Sequence, residues 1–199
     1  MPEVLFGKTN GALLSLLYAG DDEAFYLREI MKTLGLGSRS AQAGIKDLTK
    51  RGLISRSKRN GKYFYSANKD SAWFTEIRGL VARDSVVRAP AVLRAAIKPL
   101  KNVRLAFIFG STAKNTSTPD SDIDVFLVGD GLTPMDMVSP ITMAQHTLRR
   151  EINPVIYTPT EFKAMLRTNH FVDAVSRDKK TFLVGDEDEL ERLRGETRT

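Results

Sequence analysis

The chain has 199 residues, 42% hydrophobic and 27% charged, a length that allows one large domain or two small ones. It has no apolar run near the roughly 20 residues of a spanning helix, no cysteine for disulfides or thiolate zinc, and Gly7, Lys8, Thr9 and Asn10 where a signal peptide needs its apolar core. The expectation is a cytoplasmic protein whose metal, if it has one, is held by oxygen ligands as Mg2+ or Mn2+, because only His146 and His170 supply imidazole.

The net charge of +6 points to an anionic partner. Its distribution is more telling than its size. Between Arg39 and Lys69 lie Lys46, Lys50, Arg51, Arg56, Lys58, Arg59 and Lys62, opposed only by Asp47. The stretch from Asp186 to Glu196 is mixed to acidic.

In chain order, Leu13, Leu14, Leu16 and Leu17 predict a helix over residues 8–19, followed by a turn at Asp21 and Asp22. Phe25 and Tyr26 suit a short strand. Leu27, Ile30, Met31 and Leu34 predict a second helix, stopped by Gly35 and Gly37. Ser38 is the expected N-cap of a third helix reaching Arg51, with Ala41, Ile45 and Leu48 inward and Gly52 ending it. Two β-prone segments, 53–58 and 62–66, flank Arg59-Asn60-Gly61, and Asn-Gly is a strong hairpin signal because both residues tolerate positive φ.

Three helices and a basic hairpin make a winged helix-turn-helix. Such a fold sends the N-terminal residues of its third helix to base edges and its surrounding cations to phosphates. The candidate DNA contacts are therefore Ser38, Arg39, Ser40 and Gln42 at the helix start, Lys46 and Lys50 along it, and Lys58, Arg59 and Lys62 at the wing. Residues 1–70, ending in GLISRSKRNGKYFYSANK, resemble ArsR-like winged-helix regulators. The helix-turn-helix reading makes double-stranded DNA the expected partner and, since such readers usually bind pseudo-palindromes as dimers, a homodimer the expected assembly.

Trp73, Phe74, Ile77, Leu80 and Val81 predict a linker helix within residues 71–90, with Pro90 opening another helix that carries Val92, Leu93, Ile97 and Leu100. From there the pattern becomes strands at 103–109, 123–128, 152–157 and 180–184 separated by helices, one of them capped by Thr160. This predicts an α/β or α+β domain with a small mixed sheet over residues 91–199.

The segment FIFGSTAKNTSTPDSDIDVFLVG carries the chemistry. A strand runs into Gly110 and Ser111, where a glycine admits close approach of a phosphate and the following helix start offers amide donors. Asp122 and Asp124, two apart on the next strand, present carboxylates on one side, suited to one or two Mg2+ ions bridging nucleotide phosphates. The region from Val92 to Leu193 resembles the minimal nucleotidyltransferase domains of the DNA polymerase β superfamily. That resemblance implies phosphate binding by Gly110 and Ser111, metal binding by Asp122 and Asp124, and Lys114 near the nucleotide. The family's third carboxylate is replaced by Asn153, whose amide oxygen can ligate a cation but cannot accept a proton. Glu151 is the candidate substitute, and Pro154 predicts an edge strand.

Two functions follow as expectations: a DNA-binding transcriptional regulator whose appended domain binds a nucleoside triphosphate with magnesium, or an active Mg-dependent nucleotidyltransferase that its winged helix targets to a protein, nucleic acid or small molecule. A nucleotide-independent, antitoxin-like role with a protein partner is the third.

Overall fold

A computed structural model describes residues 2–20 and 23–195; the turn expected at Asp21 and Asp22 lies outside them. The chain divides into two compact units, residues 1–85 and 86–199.

In the first unit, α1 (Pro2–Phe6) precedes α2 (Lys8–Leu17). A two-residue strand β1 (Phe25–Tyr26) then leads into α3 (Leu27–Leu34) and α4 (Ser38–Lys50). Gly35 ends α3 in the left-handed conformation, and Gly52 takes φ +70° after α4. The cap of α4 is Gly37, not Ser38: Ser38 is the first helical residue, and its hydroxyl accepts from the Gln42 amide at 2.9 Å. Strands β2 (Ile54–Arg59) and β3 (Lys62–Ala67) form a hairpin across Asn60 and Gly61, with φ of 49° and 77° and Arg59 paired to Lys62. That geometry is the two-residue turn whose twist suits a hairpin. β1 adds to β3, giving the antiparallel order β1-β3-β2.

The core of this unit joins Leu13, Leu14, Leu17, Ile30, Ile45, Leu48 and Ile54. Tyr18 is buried among them and donates its hydroxyl to the Leu53 carbonyl at 2.5 Å, and burial pushes its phenol up to about 12. Asn10 on α2 donates to Asp47 on α4 at 2.8 Å, and Arg51 also pairs with Asp47. The one acid of the basic segment is thus engaged by its own unit.

The long helix α5 (Phe74–Ile97) corrects the expectation of two helices, since it runs unbroken through Pro90. Its first half supplies Ile77 and Val81 to the core of the first unit, its second half Ala89, Leu93 and Ile97 to that of the second. Trp73, expected within the linker helix, stands just before it and is 63% exposed.

The second unit is a four-stranded mixed sheet in the order β6-β5-β4-β7. The strands are β4 (Val103–Phe109), β5 (Ile123–Gly129), β6 (Ile152–Tyr157) and β7 (Thr181–Val184). β4 runs antiparallel to β5 and β7, and β5 parallel to β6. The parallel pair is joined through α7 (Pro134–Leu148), which follows the short α6 (Gly110–Lys114) in the chain. β6, which carries Pro154, is an edge strand, where a residue without an amide proton is tolerated.

Alternation along the strands supplies two apolar faces. Ala106, Ile108, Ile123, Val125 and Leu127 meet α7 and the end of α5. Leu105, Phe107, Phe109, Phe126 and Val128 meet α8 (Pro159–Thr168), α9 (His170–Arg177) and α10 (Glu187–Arg194). The cap of α8 is Thr158, not Thr160: its hydroxyl accepts from the Glu161 amide while the Glu161 carboxylate accepts from the Thr158 amide.

The packing of α2 on α4 hinges on Gly44. A Cβ there would stand 2.6 Å from Leu13 Cδ1 and 3.0 Å from Asn10 Oδ1. Leu13 is fully buried and cannot swing away. Gly44→Ala should lower stability by about 1–3 kcal/mol through overpacking, despite the ~1 kcal/mol that alanine gains in helix propensity. Denaturant titration measures it, and an unchanged or higher midpoint would contradict this packing.

Candidate functional site

The sheet brings the second unit's chemical groups to one end of β4 and β5. Phe109, the last residue of β4, is the register partner of Asp124. Gly110 then turns the chain into α6 with φ +70°. A Cβ on Gly110 would lie 2.6 Å from Asp124 Oδ2, so the carboxylate occupies the volume a side chain would need. Glycine is required there twice, by the backbone conformation and by the acid against it. Ser111 is half-buried, its carbonyl accepting from the Thr116 amide at 3.0 Å, and α6 ends at Asn115 in the left-handed conformation.

Asp124 shares its side of β5 with Phe126, at the edge of the aromatic face, and is half-buried. Asp122 precedes the strand and is exposed. Burial pushes the Asp124 carboxyl above the ordinary carboxylate range, the charge of Asp122 pushes it further, and the Asn153 amide partly counters both. Asn153 is the register partner of Asp124 on β6 and donates to Asp122 Oδ2 at 3.1 Å. A neutral amide therefore stands beside two acids that repel one another.

Glu151 is exposed just before β6. Its carbonyl accepts from the Ile123 amide at 2.9 Å. Its carboxylate does not join the pair: among the described residues no three Asp, Glu, His or Cys side chains gather closely enough to hold a metal. Lys114 is exposed on α6, and its ammonium pairs with Asp178 at the end of α9 at 2.5 Å. His146 and His170 are exposed and take no part.

Sequence reasoning missed Arg150. It is 8% exposed and extends beneath the loop between α6 and β5. One terminal nitrogen donates to the Ser117 hydroxyl at 3.0 Å and to the Thr118 carbonyl at 2.7 Å, and also to the Ser121 carbonyl. Its Nε and other terminal nitrogen are buried without a hydrogen-bond partner. Burial lowers the guanidinium pKa, while Asp122 and Asp120 favour its charge. A buried arginine on a helix-to-strand connection reads as surface in a sequence, and only the fold shows that it anchors the loop delivering Asp122.

In the first unit, Ser38, Arg39, Ser40, Gln42, Lys46 and Lys50 are all exposed on α4, and Lys58, Arg59 and Lys62 are exposed on the hairpin. Gln42, Lys46 and Lys50 line an open depression together with Arg56 and Tyr65 of the sheet. The hairpin cations also lie over aromatic rings, Arg56 over Tyr63 at 4.5 Å, Arg59 over Phe64 at 5.8 Å and Lys62 over Tyr26 at 5.7 Å. Arg56 and these rings were not among the expected contacts. Their signal was the alternation of Arg and Lys with Tyr and Phe on opposing strands.

The Gly-Ser turn, the acids on the paired strand and the parallel β6 occupy one continuous stretch of sequence. Residues 93–170 match the family model Polymerase beta, Nucleotidyltransferase. The second unit thus carries a nucleotidyltransferase-like domain, and α9 after His170, β7 and α10 lie beyond the match. No curated protein matches the chain. Among solved structures, a toxin–antitoxin with AMP-PNP is similar at 14% identity over 52% of this chain and 79% of the other, with a TM-score of 0.39. A mutant of the toxin–antitoxin MntA-HpeT follows at 11% identity over 52% and 79%, with a TM-score of 0.38. A candidate nucleotidyltransferase from Sulfolobus solfataricus is similar at 21% identity over 51% and 84%, with a TM-score of 0.32. At these scores the likeness carries no functional weight. Among the described residues no helix is long and apolar enough to cross a membrane.

Two outcomes follow from the repulsion and from the anchor. Asp124 holds its proton to higher pH in the fold than in the unfolded chain, so its charged form destabilises the fold above the folded pKa and not below the unfolded value of about 3.9. Asp124→Asn should therefore raise stability at neutral pH by less than about 1 kcal/mol, given water screening of a half-buried group, and with it the thermal midpoint. The gain should shrink as pH falls toward that value, and melting curves from pH 4 to pH 8 measure it. Arg150→Met leaves the Thr118 and Ser121 carbonyls without their donor and should cost about 1–3 kcal/mol in denaturant unfolding, with Arg150→Lys intermediate.

Proposed function

We propose that the chain is a DNA-binding transcriptional regulator whose second domain binds a nucleoside triphosphate with magnesium without completing nucleotidyl transfer. The observation that carries the second half is Asn153. It holds the strand position beside Asp124 and gives its amide to Asp122, so among the described residues two carboxylates gather there with no third.

The residues present suit a divalent cation. Asp122 and Asp124 are like charges held together, and Asp124 fills the space that a side chain on Gly110 would take, which sets its carboxylate directly against the Gly-Ser turn. Asp122, Asp124 and, once its amide turns over from the hydrogen bond to Asp122, the oxygen of Asn153 would hold the ion, which when bound supplies charge neutralisation for the nucleotide phosphates. Gly110 and Ser111 would receive those phosphates at the start of α6. Lys114 would reach them on leaving Asp178. A neutral amide in place of the third acid cannot take a proton from an attacking hydroxyl, which favours binding over transfer.

In this reading residues 1–70 form a winged helix-turn-helix, 71–90 a linker and 91–199 the nucleotidyltransferase-like domain. α4 is the recognition helix, with Ser38, Arg39, Ser40 and Gln42 toward base edges and Lys46 and Lys50 toward phosphates, while Lys58, Arg59 and Lys62 form a wing. Their exposure on one helix and one hairpin supports it. Such readers act as homodimers on pseudo-palindromic sites, and nucleotide occupancy would tune the affinity.

Binding to duplex DNA should weaken steeply with salt, and Lys46→Ala or Lys50→Ala should each make the log–log slope shallower by about 1. Fluorescence anisotropy measures it, and salt-insensitive binding would sink the DNA assignment. Isothermal titration should detect Mg-dependent nucleotide binding that Asp122→Ala removes. Pyrophosphate release by the wild type, abolished by Asp122→Ala, would replace the binding role with an active transferase.

A further inference from the structure

Phe171 is the second residue of α9, and 47% of its surface is exposed, an unusual position for a large apolar side chain in a unit whose other phenylalanines are buried or half-buried. It is held in place from both sides. The Asn169 side chain accepts from the Phe171 and Val172 amides at 2.9 and 3.3 Å, which fixes the start of the helix. The Phe171 ring meets Phe109 edge to face, with centroids 5.8 Å apart. At the other end of α9, Asp178 pairs with Lys114.

Those two contacts place α9 alongside the candidate site. Phe109 pairs in register with Asp124 and directly precedes Gly110. Lys114 closes the short helix that Gly110 opens. An exposed aromatic face is thus anchored on the residue next to the phosphate turn, beside the half-buried acid. None of α9 beyond His170 lies within the matched family segment, so the feature belongs to this chain's own residues.

We infer that Phe171 is the platform on which the base of the bound nucleotide stacks. The inference rests on the nucleotide-binding reading above. A flat, rigid ring gives stacking area at little entropic cost, and every base offers it a π-face, so such a platform contributes affinity without selecting the base. Among the described residues near the Gly-Ser turn, Phe171 is the exposed aromatic. Phe109 itself is buried beneath it.

The test is isothermal titration of the full chain in excess Mg2+ with ATP, GTP, CTP and UTP, and separately with inorganic tripolyphosphate, which has the phosphates and no base. Phe171→Leu keeps an apolar side chain against Phe109 but removes the flat ring, and Phe171→Trp keeps one. Phe171→Leu should weaken all four nucleotides about tenfold and leave tripolyphosphate unchanged. Phe171→Trp should bind nucleotides as well as the wild type or better, with its fluorescence quenched by nucleotide and not by tripolyphosphate. Unchanged nucleotide affinity in Phe171→Leu overturns the platform while leaving the nucleotide site intact. Equal weakening of nucleotide and tripolyphosphate overturns it in favour of a purely structural role. If the wild type binds neither ligand, the nucleotide-binding reading falls and the platform falls with it.

Discussion

A carboxylate seated against a glycine is the contact on which the second unit's candidate site depends. Asp124 reaches the volume where Gly110 would carry a side chain, and this is possible only because β4 and β5 pair so that Phe109 stands opposite Asp124. The same pairing aligns the phenylalanines of both strands on one face, where Phe107 and Phe126 stack with centroids 5.1 Å apart. The register that packs the aromatic face therefore also brings acid and turn together. A slip of one residue would turn Asp124 to the opposite face of the sheet and dissolve both at once.

Much of this was legible in the sequence, and the reasons differ by element. The hairpin followed from Asn60-Gly61 because the turn chemistry is local, and β4 and β5 from unbroken apolar runs with a glycine-serine punctuation. The resemblance to nucleotidyltransferase domains joined Gly110 and Asp124 in one site, and the strand register accounts for their contact. What the sequence concealed depends on tertiary context. Pro90 suits a helix start and is costly in a helix interior, so α5 read as two pieces. Ser38 and Thr160 are good caps by residue type, but Gly37 and Thr158 hold the positions that count. Arg150 looked like a surface cation, although it is buried under a loop of hydroxyls and carbonyls.

The first unit keeps its surface charge by a division of labour along α4. Its apolar residues Ala41, Ile45 and Leu48 face α2 and α3, and Gly44 lets α2 approach closely. Asp47 is tied to Asn10 and Arg51, which holds its carboxyl below the ordinary carboxylate range. Asp47 is therefore engaged within its own unit, while Lys46 and Lys50 stay exposed on the same helix. The concentration of positive charge is thus a product of how the helix packs as much as of composition.

The Lys114–Asp178 pair gives the candidate site a further property. On the proposed reading, an incoming phosphate would meet there not a bare ammonium but one whose charge is already answered by a carboxylate. Occupying that corner amounts to exchanging one anion for another, so the local charge changes less than the lysine alone suggests. Ionic strength, which weakens the resident pair and the incoming one together, would then act on this corner far less than on the lysines of α4. The two halves of the chain would accordingly meet their anions under different rules, one by attraction to an open cationic surface and the other by substitution at an ion pair already made.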